Sequence, residues 1–131
     1  MKYLTEIKVR GYHADFYGHV NNARYLEFLE EDRWAHLESN IDLKKWAAKG
    51  LIFLVVNINI NYRRAVPVGE TLLISTKLEK IGSRSAVFKQ EIVLKRTKKI
   101  AADALVTFVI KDRDGAVKME GDILQEIKKT G

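Results

Sequence analysis

A chain of 131 residues, 47% hydrophobic and 31% charged, is a comfortable size for one soluble domain around one core. It contains no cysteine, which excludes disulfides, thiolate metal sites and cysteine nucleophiles. The net charge of +6 suits a polyanion, either nucleic acid or a small phosphorylated molecule, unless it is only a generally basic surface.

Residues 1–8 lack an apolar core region and already alternate, so no secretory signal is expected. No apolar run approaches the roughly 20 residues of a membrane helix, and the cytoplasm is the default compartment. A first strand is predicted over 3–10, with Leu4, Ile7 and Val9 apolar against Thr5, Lys8 and Arg10. Gly11 ends it. The stretch 11–25 then concentrates polar chemistry: Asp15, His13, His19, Tyr12, Tyr17, Tyr25, Asn21 and Asn22. Asn21 or Asn22 caps the one long helical pattern, which runs to about Ser39. Tyr25, Leu26, Phe28, Leu29, Trp34 and Leu37 form its apolar stripe. Arg24, Glu27, Glu30, Glu31, Asp32, Arg33 and Glu38 read as its polar remainder. A helical turn anchored by Trp46 fills 41–50.

The segment 51–64 reads as a strand with Ile52, Leu54, Val56, Ile58, Ile60 and Tyr62 on one face. Phe53, Val55, Asn57, Asn59, Asn61 and Arg63 share the other. Asparagine is a poor strand former, so this second face either meets something polar or is simply solvated. A turn at Pro67 leads to strands at 70–81, with Leu72, Ile74, Thr76 and Leu78 inward, and at 84–96, with Ala86, Phe88, Ile92 and Leu94 inward. The segment 100–112 is apolar on both faces, as in a central or doubly covered strand. A turn at 112–115 and a short amphipathic helix at 121–129 complete the chain. One helix with only the concave face of an antiparallel sheet to bury its stripe is an α+β architecture, expected as a single domain over 1–131.

Asp15 stands in a loop ahead of the helix, whose first N–H groups are unpaired and whose end is electropositive. Those N–H groups can hold an oxyanion, and an acid beside an oxyanion donor is the minimal set for ester or thioester hydrolysis. The bland alternative is that Asp15 caps the helix or a turn.

The run from Asp15 through Gly18, His19, Val20, Asn21 and Asn22 to Tyr25, with Glu30 and Arg33 following, resembles the hot-dog-fold acyl-CoA thioesterases of the 4-hydroxybenzoyl-CoA thioesterase type. The resemblance covers the whole chain and is strengthened by 55–64 and 101–109, which look like the bacterial long-chain branch. It implies an antiparallel sheet wrapped around the helix and dimers joined at sheet edges, often paired into tetramers, with active sites at the interface. It implies Asp15 as general base or nucleophile and the Asn22 N–H as oxyanion donor. His19 helps position the attack, unless it is a loop histidine bonded to backbone. His13 and His36 read as structural. Tyr17, Gly18, Tyr25, Glu30, Asn57, Arg64 and Arg84 are the implied substrate contacts, with Lys80 near the nucleotide tail. Gly18 stands where related sequences often carry a larger polar residue. The implied substrate is a medium- to long-chain fatty acyl-CoA. CoA is part of that substrate, so no separate cofactor is expected, and no metal. Aromatic acyl-CoA or acyl-carrier-protein substrates are the nearest alternatives. A hot-dog dehydratase would want a histidine with a separate acid motif, which is not seen. A non-catalytic acyl-CoA or nucleic-acid binding module fits the charge, but the aromatic-and-basic patch of single-strand binders is missing.

Overall fold

The alternating segments assemble into one antiparallel sheet with a long helix packed on its inner face. The computed structural model describes residues 2–131. In chain order the elements are β1 (Tyr3–Lys8), α1 (Asn22–Asn40), α2 (Leu43–Ala48), β2 (Ile52–Tyr62), β3 (Thr71–Ile81), β4 (Ala86–Leu94), β5 (Ile100–Asp112), β6 (Gly115–Ala116) and α3 (Gly121–Lys128). The strand order is β1-β3-β4-β5-β2, and the two-residue β6 pairs with the end of β5. This is the α+β arrangement expected. β1 and β2 are its edges.

β3 and β4 turn inward the residues their alternation predicts, and the core is continuous from Leu72 and Ile74 to Phe88, Ile92, Val106, Phe108 and Ile110. Burying a side chain of this size contributes roughly 1.5–3 kcal/mol. β5 is central, as its apolar character requires, but only one of its faces is covered. Ala102, Ala104, Val106, Phe108 and Ile110 are buried inward, whereas Leu105 on the outer face stays exposed. The tail helix packs through buried Ile127, and His36 Nε2–H donates to the Thr130 carbonyl at 2.6 Å.

Two sequence expectations are overturned. The first concerns α1, whose Asp32 and Arg33 are buried instead of belonging to a solvated face. The Asp32 carboxylate accepts the Thr5 hydroxyl of β1 at 2.7 Å and the Thr76 hydroxyl of β3 at 2.5 Å. Gln90 of β4 donates to Thr76 Oγ1 and to the Leu29 carbonyl, and Arg33 donates to Gln90 Oε1 at 3.1 Å. A polar network can sit in a core when its groups are bonded to one another. It rivets α1 to β1, β3 and β4, the strands the helix lies against. The helix is therefore off-centre over the sheet.

The second concerns β2. Val55 pairs with Phe108 and Asn57 with Thr107, so Val56 is an extra residue with no partner on β5. This bulge moves the side chains after it to the opposite face. Phe53, Val55, Ile58 and Ile60 turn inward, while Ile52, Leu54, Val56, Asn57, Asn59 and Asn61 are exposed. The uninterrupted alternation read from the sequence placed Ile52, Leu54 and Val56 on the face of Ile58 and Ile60, and that is corrected here.

Candidate active site

The loop ahead of α1 is a closed hairpin. The Asp15 N–H donates to the His19 carbonyl at 2.8 Å, the Gly18 N–H donates to the Asp15 carbonyl at 3.1 Å, and Ala14 bridges Val20. Gly18 supplies the left-handed backbone, φ +79°, that the turn needs. Inside this hairpin one carboxylate oxygen of Asp15 accepts the Tyr17 N–H at 2.9 Å and the His19 N–H at 3.4 Å. That Asx-type turn is the capping role foreseen as the alternative for Asp15, yet it uses only one oxygen. The other has no hydrogen-bond partner among the described residues.

The hairpin base is set by His13. Burial, then the Arg24 cation, pushes this imidazole below its ordinary range, so it is neutral at neutral pH. Its Nδ1 accepts the Arg10 N–H at 2.9 Å and its ring meets Phe28 edge-on. The His13 carbonyl accepts the Asn21 N–H, which fixes where α1 begins. Asn21 is the cap, its side chain accepting the Ala23 N–H at 2.9 Å. Asn22 is the first helical residue, so its N–H has no intrahelical acceptor. The first turn holds no acidic side chain to neutralise the electropositive end.

Asp15, His19, Val20, Asn22, Tyr25, Tyr62, Arg63, Arg64 and Ala65 enclose a cleft of about 310 Å³. Tyr25 is buried, and its hydroxyl donates to the Arg64 carbonyl at 3.3 Å. Burial, with Tyr62 and Asp15 nearby, pushes its phenol up to about 12, so it remains a neutral donor. Tyr62 meets the Tyr25 ring edge-on, and its hydroxyl donates to the Asn22 carbonyl at 3.3 Å. Arg63 turns to the outer sheet face and pairs with Asp103 at 2.8 Å, which holds that carboxyl below the usual range.

Of the residues singled out in the sequence, Asp15, His19, Asn22, Tyr25 and Arg64 come together here. Tyr17 and Gly18 form the exposed tip of the hairpin and not the cleft wall. Glu30 lies two turns along α1 and accepts the Trp34 indole N–H at 3.1 Å. Asn57 sits on the outer face of the edge strand, just past the bulge. Arg84 donates to the Ala116 carbonyl at 3.0 Å, and Lys80 is exposed near the end of β3. Tyr62 was not among the candidate site residues. The signal for it was an aromatic residue closing the Asn-rich strand beside two arginines. Among the described residues no three His, Cys, Asp or Glu side chains converge as a metal-ligand set.

The model of the thioesterase-like superfamily matches residues 9–127. The long-chain acyl-CoA thioesterase FadM of Escherichia coli (strain K12) is 45% identical over 127 residues, 95% of this chain and 96% of that protein. The crystal structure of the probable thioesterase YbaW from Escherichia coli superposes with a TM-score of 0.90 at 44% identity, covering 96% of each chain. A thioesterase from Thermus thermophilus complexed with coenzyme A and Zn shares the fold at a TM-score of 0.82. It is 21% identical, with 96% of this chain and 91% of that one covered. With the family model matched over residues 9–127 and a relative 45% identical across nearly the whole of both chains, this chain belongs to the thioesterase-like superfamily.

Proposed function

We propose that this protein is a thioesterase that hydrolyses medium- to long-chain fatty acyl-CoA to the free fatty acid and CoA. The observation that carries the reading is the free oxygen of Asp15 in one cleft with the first N–H of α1. The thioester carbonyl oxygen lies against the Asn22 N–H and the positive helix end, which stabilise the charge that develops on it. The free Asp15 oxygen takes the proton of a water whose oxygen attacks the carbonyl carbon. The C–S bond then breaks and the CoA thiolate leaves with a proton. If Asp15 attacks the carbon itself, a mixed anhydride forms and water opens it. Label found in Asp15 after a single turnover in 18O-water identifies the second route with water attacking the Asp15 carboxyl carbon, since the first route leaves that carboxyl unlabelled. His19 lines the cleft and helps position the attack, and the Tyr25 and Tyr62 hydroxyls brace the cleft walls through the Arg64 and Asn22 carbonyls.

Substrate contacts beyond Asp15 follow the same reading. Arg64, with Lys80 and Arg84 further off, offers cationic character to the CoA phosphates. A homodimer joined at the β2 edges, or a tetramer of such dimers, brings Asn57, Tyr17 and Glu30 of one copy toward the site of the next. A cytoplasmic setting, where acyl-CoA is available, goes with this activity. The direct test is free-thiol release from a series of acyl-CoA substrates. Robust turnover of palmitoyl-CoA is expected, and no release from any acyl-CoA would end the proposal.

A further inference from the structure

The charge of this protein is concentrated at one end of the sheet. In the antiparallel register Lys8 faces Thr71, Leu72 faces Leu94, Val93 faces Ile100 and Ala102 faces Tyr62. One end therefore carries the finish of β1, the start of β3, the β4–β5 turn and the finish of β2. The Asp15 hairpin is stitched to that same end: His19 bridges Pro67, and the Val20 N–H donates to the Val66 carbonyl at 2.8 Å. The segments gathered there, 8–24, 63–70 and 95–99, hold nine lysines and arginines against two acids, Asp15 and Glu70. The rest of the chain, with fourteen basic and fifteen acidic side chains, is slightly negative, so this end alone accounts for the net charge of +6. Lys95, Arg24, Arg96 and Arg63 pair with Glu6, Glu27, Glu70 and Asp103. Lys8, Arg10, Arg64, Lys98 and Lys99 have no carboxylate partner among the described residues. Apolar side chains stand out from the same end. Phe16 at the hairpin tip is 95% exposed and touches the Tyr17 ring edge-on at 5.3 Å, and Tyr12, Val68 and Ile100 are exposed as well. The bonds of Asp15 to Tyr17, Gly18 and His19 fix the tip, so Phe16 is presented and not left loose.

We propose that this end docks on the surface of an anionic lipid bilayer, with Phe16 and Tyr12 entering the headgroup layer and Lys8, Arg10, Arg64, Lys98 and Lys99 lying against the lipid phosphates. Exposed apolar side chains rimmed by cations mark an interaction surface, and aromatic rings favour the boundary between headgroups and acyl chains. Each basic residue brought to an anionic surface is worth roughly fivefold in binding. Charge complementarity also fixes the orientation, because the remainder of the chain is slightly negative and is not drawn to such a surface. Single-stranded nucleic acid would call for rings lining a basic groove in which bases stack, whereas Phe16 crowns a projecting turn. Docked in this way, the cleft lined by Asp15, His19, Val20 and Arg64 opens beside the membrane surface. That is where a long-chain acyl-CoA, an amphiphile with an apolar chain and a polyanionic head, concentrates. The docking is a property of the surface and stands apart from the thioesterase reading.

The test is co-sedimentation of the full chain with vesicles of phosphatidylcholine alone and of phosphatidylcholine with one third phosphatidylglycerol. Binding to the anionic vesicles is expected to be at least about tenfold tighter than to the neutral ones, and to weaken as salt rises from about 0.1 M to about 1 M. Phe16→Ser, which removes the inserted ring, and the double variant Lys98→Gln with Lys99→Gln, which removes two cations, are each expected to weaken it at least about tenfold. All these side chains are exposed, so the melting temperature should not change. Equal affinity for the two kinds of vesicle overturns the proposal, and that comparison needs no variant. Anionic-vesicle binding that both variants keep within about twofold overturns it too. Light scattering is run alongside. A Phe16→Ser protein that changes oligomeric state and keeps its vesicle affinity overturns the bilayer in favour of a second copy as occupant. Binding to a single-stranded oligonucleotide that is tighter than to anionic vesicles, and lost in the same variants, overturns it in favour of nucleic acid.

Discussion

Asp15 owes its position to backbone rather than to burial. Two N–H groups hold one oxygen, and the hairpin closed at Ala14–Val20 holds the residue that carries it. Asn at this position keeps an oxygen for those N–H groups and loses only the base. Asp15→Asn is therefore expected to fold with unchanged melting temperature, to bind acyl-CoA, and to lose at least about 10²–10⁴-fold in kcat. Thiol release within about tenfold of wild type would remove Asp15 from the chemistry. Asp32 is the opposite case, a carboxyl defined by burial. Burial raises its titration above the ordinary range, against the pull of the Thr76 and Thr5 hydroxyls and of nearby His36. The folded state then holds the proton more tightly than the unfolded one. The stabilising contribution is complete below the unfolded value of about 3.9 and is lost as pH rises through the folded value. The melting temperature of Asp32→Asn, measured against wild type from about pH 4 upward, should gain on wild type as pH rises. A constant gap would show that Asp32 does not titrate differently in the two states. The two acids also differ in legibility. Asp15 stood out because tyrosines, asparagines and histidines crowd around it in sequence. Asp32 and Arg33 did not, because helical spacing sorts residues by polarity, and a buried charge bonded to its neighbours has the same letter as a solvated one. Gln90 carried a usable clue: it occupies an inward position of β4 between Phe88 and Ile92.

Among the elements, α1 and the strands β3, β4 and β5 were readable from periodicity and turn residues. The two-residue β6 was too short to leave a pattern. β2 was readable as a strand but not in its facing, because the bulge at Val56 falls inside a run of apolar residues where either assignment looks hydrophobic. Only the asparagines on one side of it and Phe53 on the other reveal the shift, and only once pairing with β5 is known. Deleting Val56 would leave Val55 opposite Phe108 and Asn57 opposite Thr107, in one regular alternation with Phe53, Val55, Ile58 and Ile60 all inward. The deletion variant is therefore expected to fold, with a cooperative thermal transition. Loss of that transition would mean that the bend the bulge gives β2 is itself required for the fold.

At the scale of the whole molecule, the 11-residue β2 is an open edge that carries Ile52, Leu54 and Val56 exposed, with exposed Leu105 of β5 further along, opposite Asn59. A long apolar edge invites pairing, and symmetric closure is its commonest resolution. Light scattering at micromolar concentration should give a dimer or tetramer, and a single 15.0 kDa species would contradict this. The net charge of +6 has its own consequence for a polyphosphate substrate. The Debye length falls from about 10 Å at 0.1 M salt to about 3 Å at 1 M, so KM for acyl-CoA should rise with added salt while kcat changes little. A KM indifferent to salt would locate the binding energy in the acyl chain alone. The off-centre seat of α1 also divides the protein into regions of unequal stability. Strands riveted to the helix open only when the whole molecule does, whereas the amides of β2 lie under half a cover and need only local opening to exchange with solvent. In deuterated buffer β3 and β4 should label last. β2 should label first only in a chain kept from pairing at that edge, so the protection of its amides reads out the assembly itself.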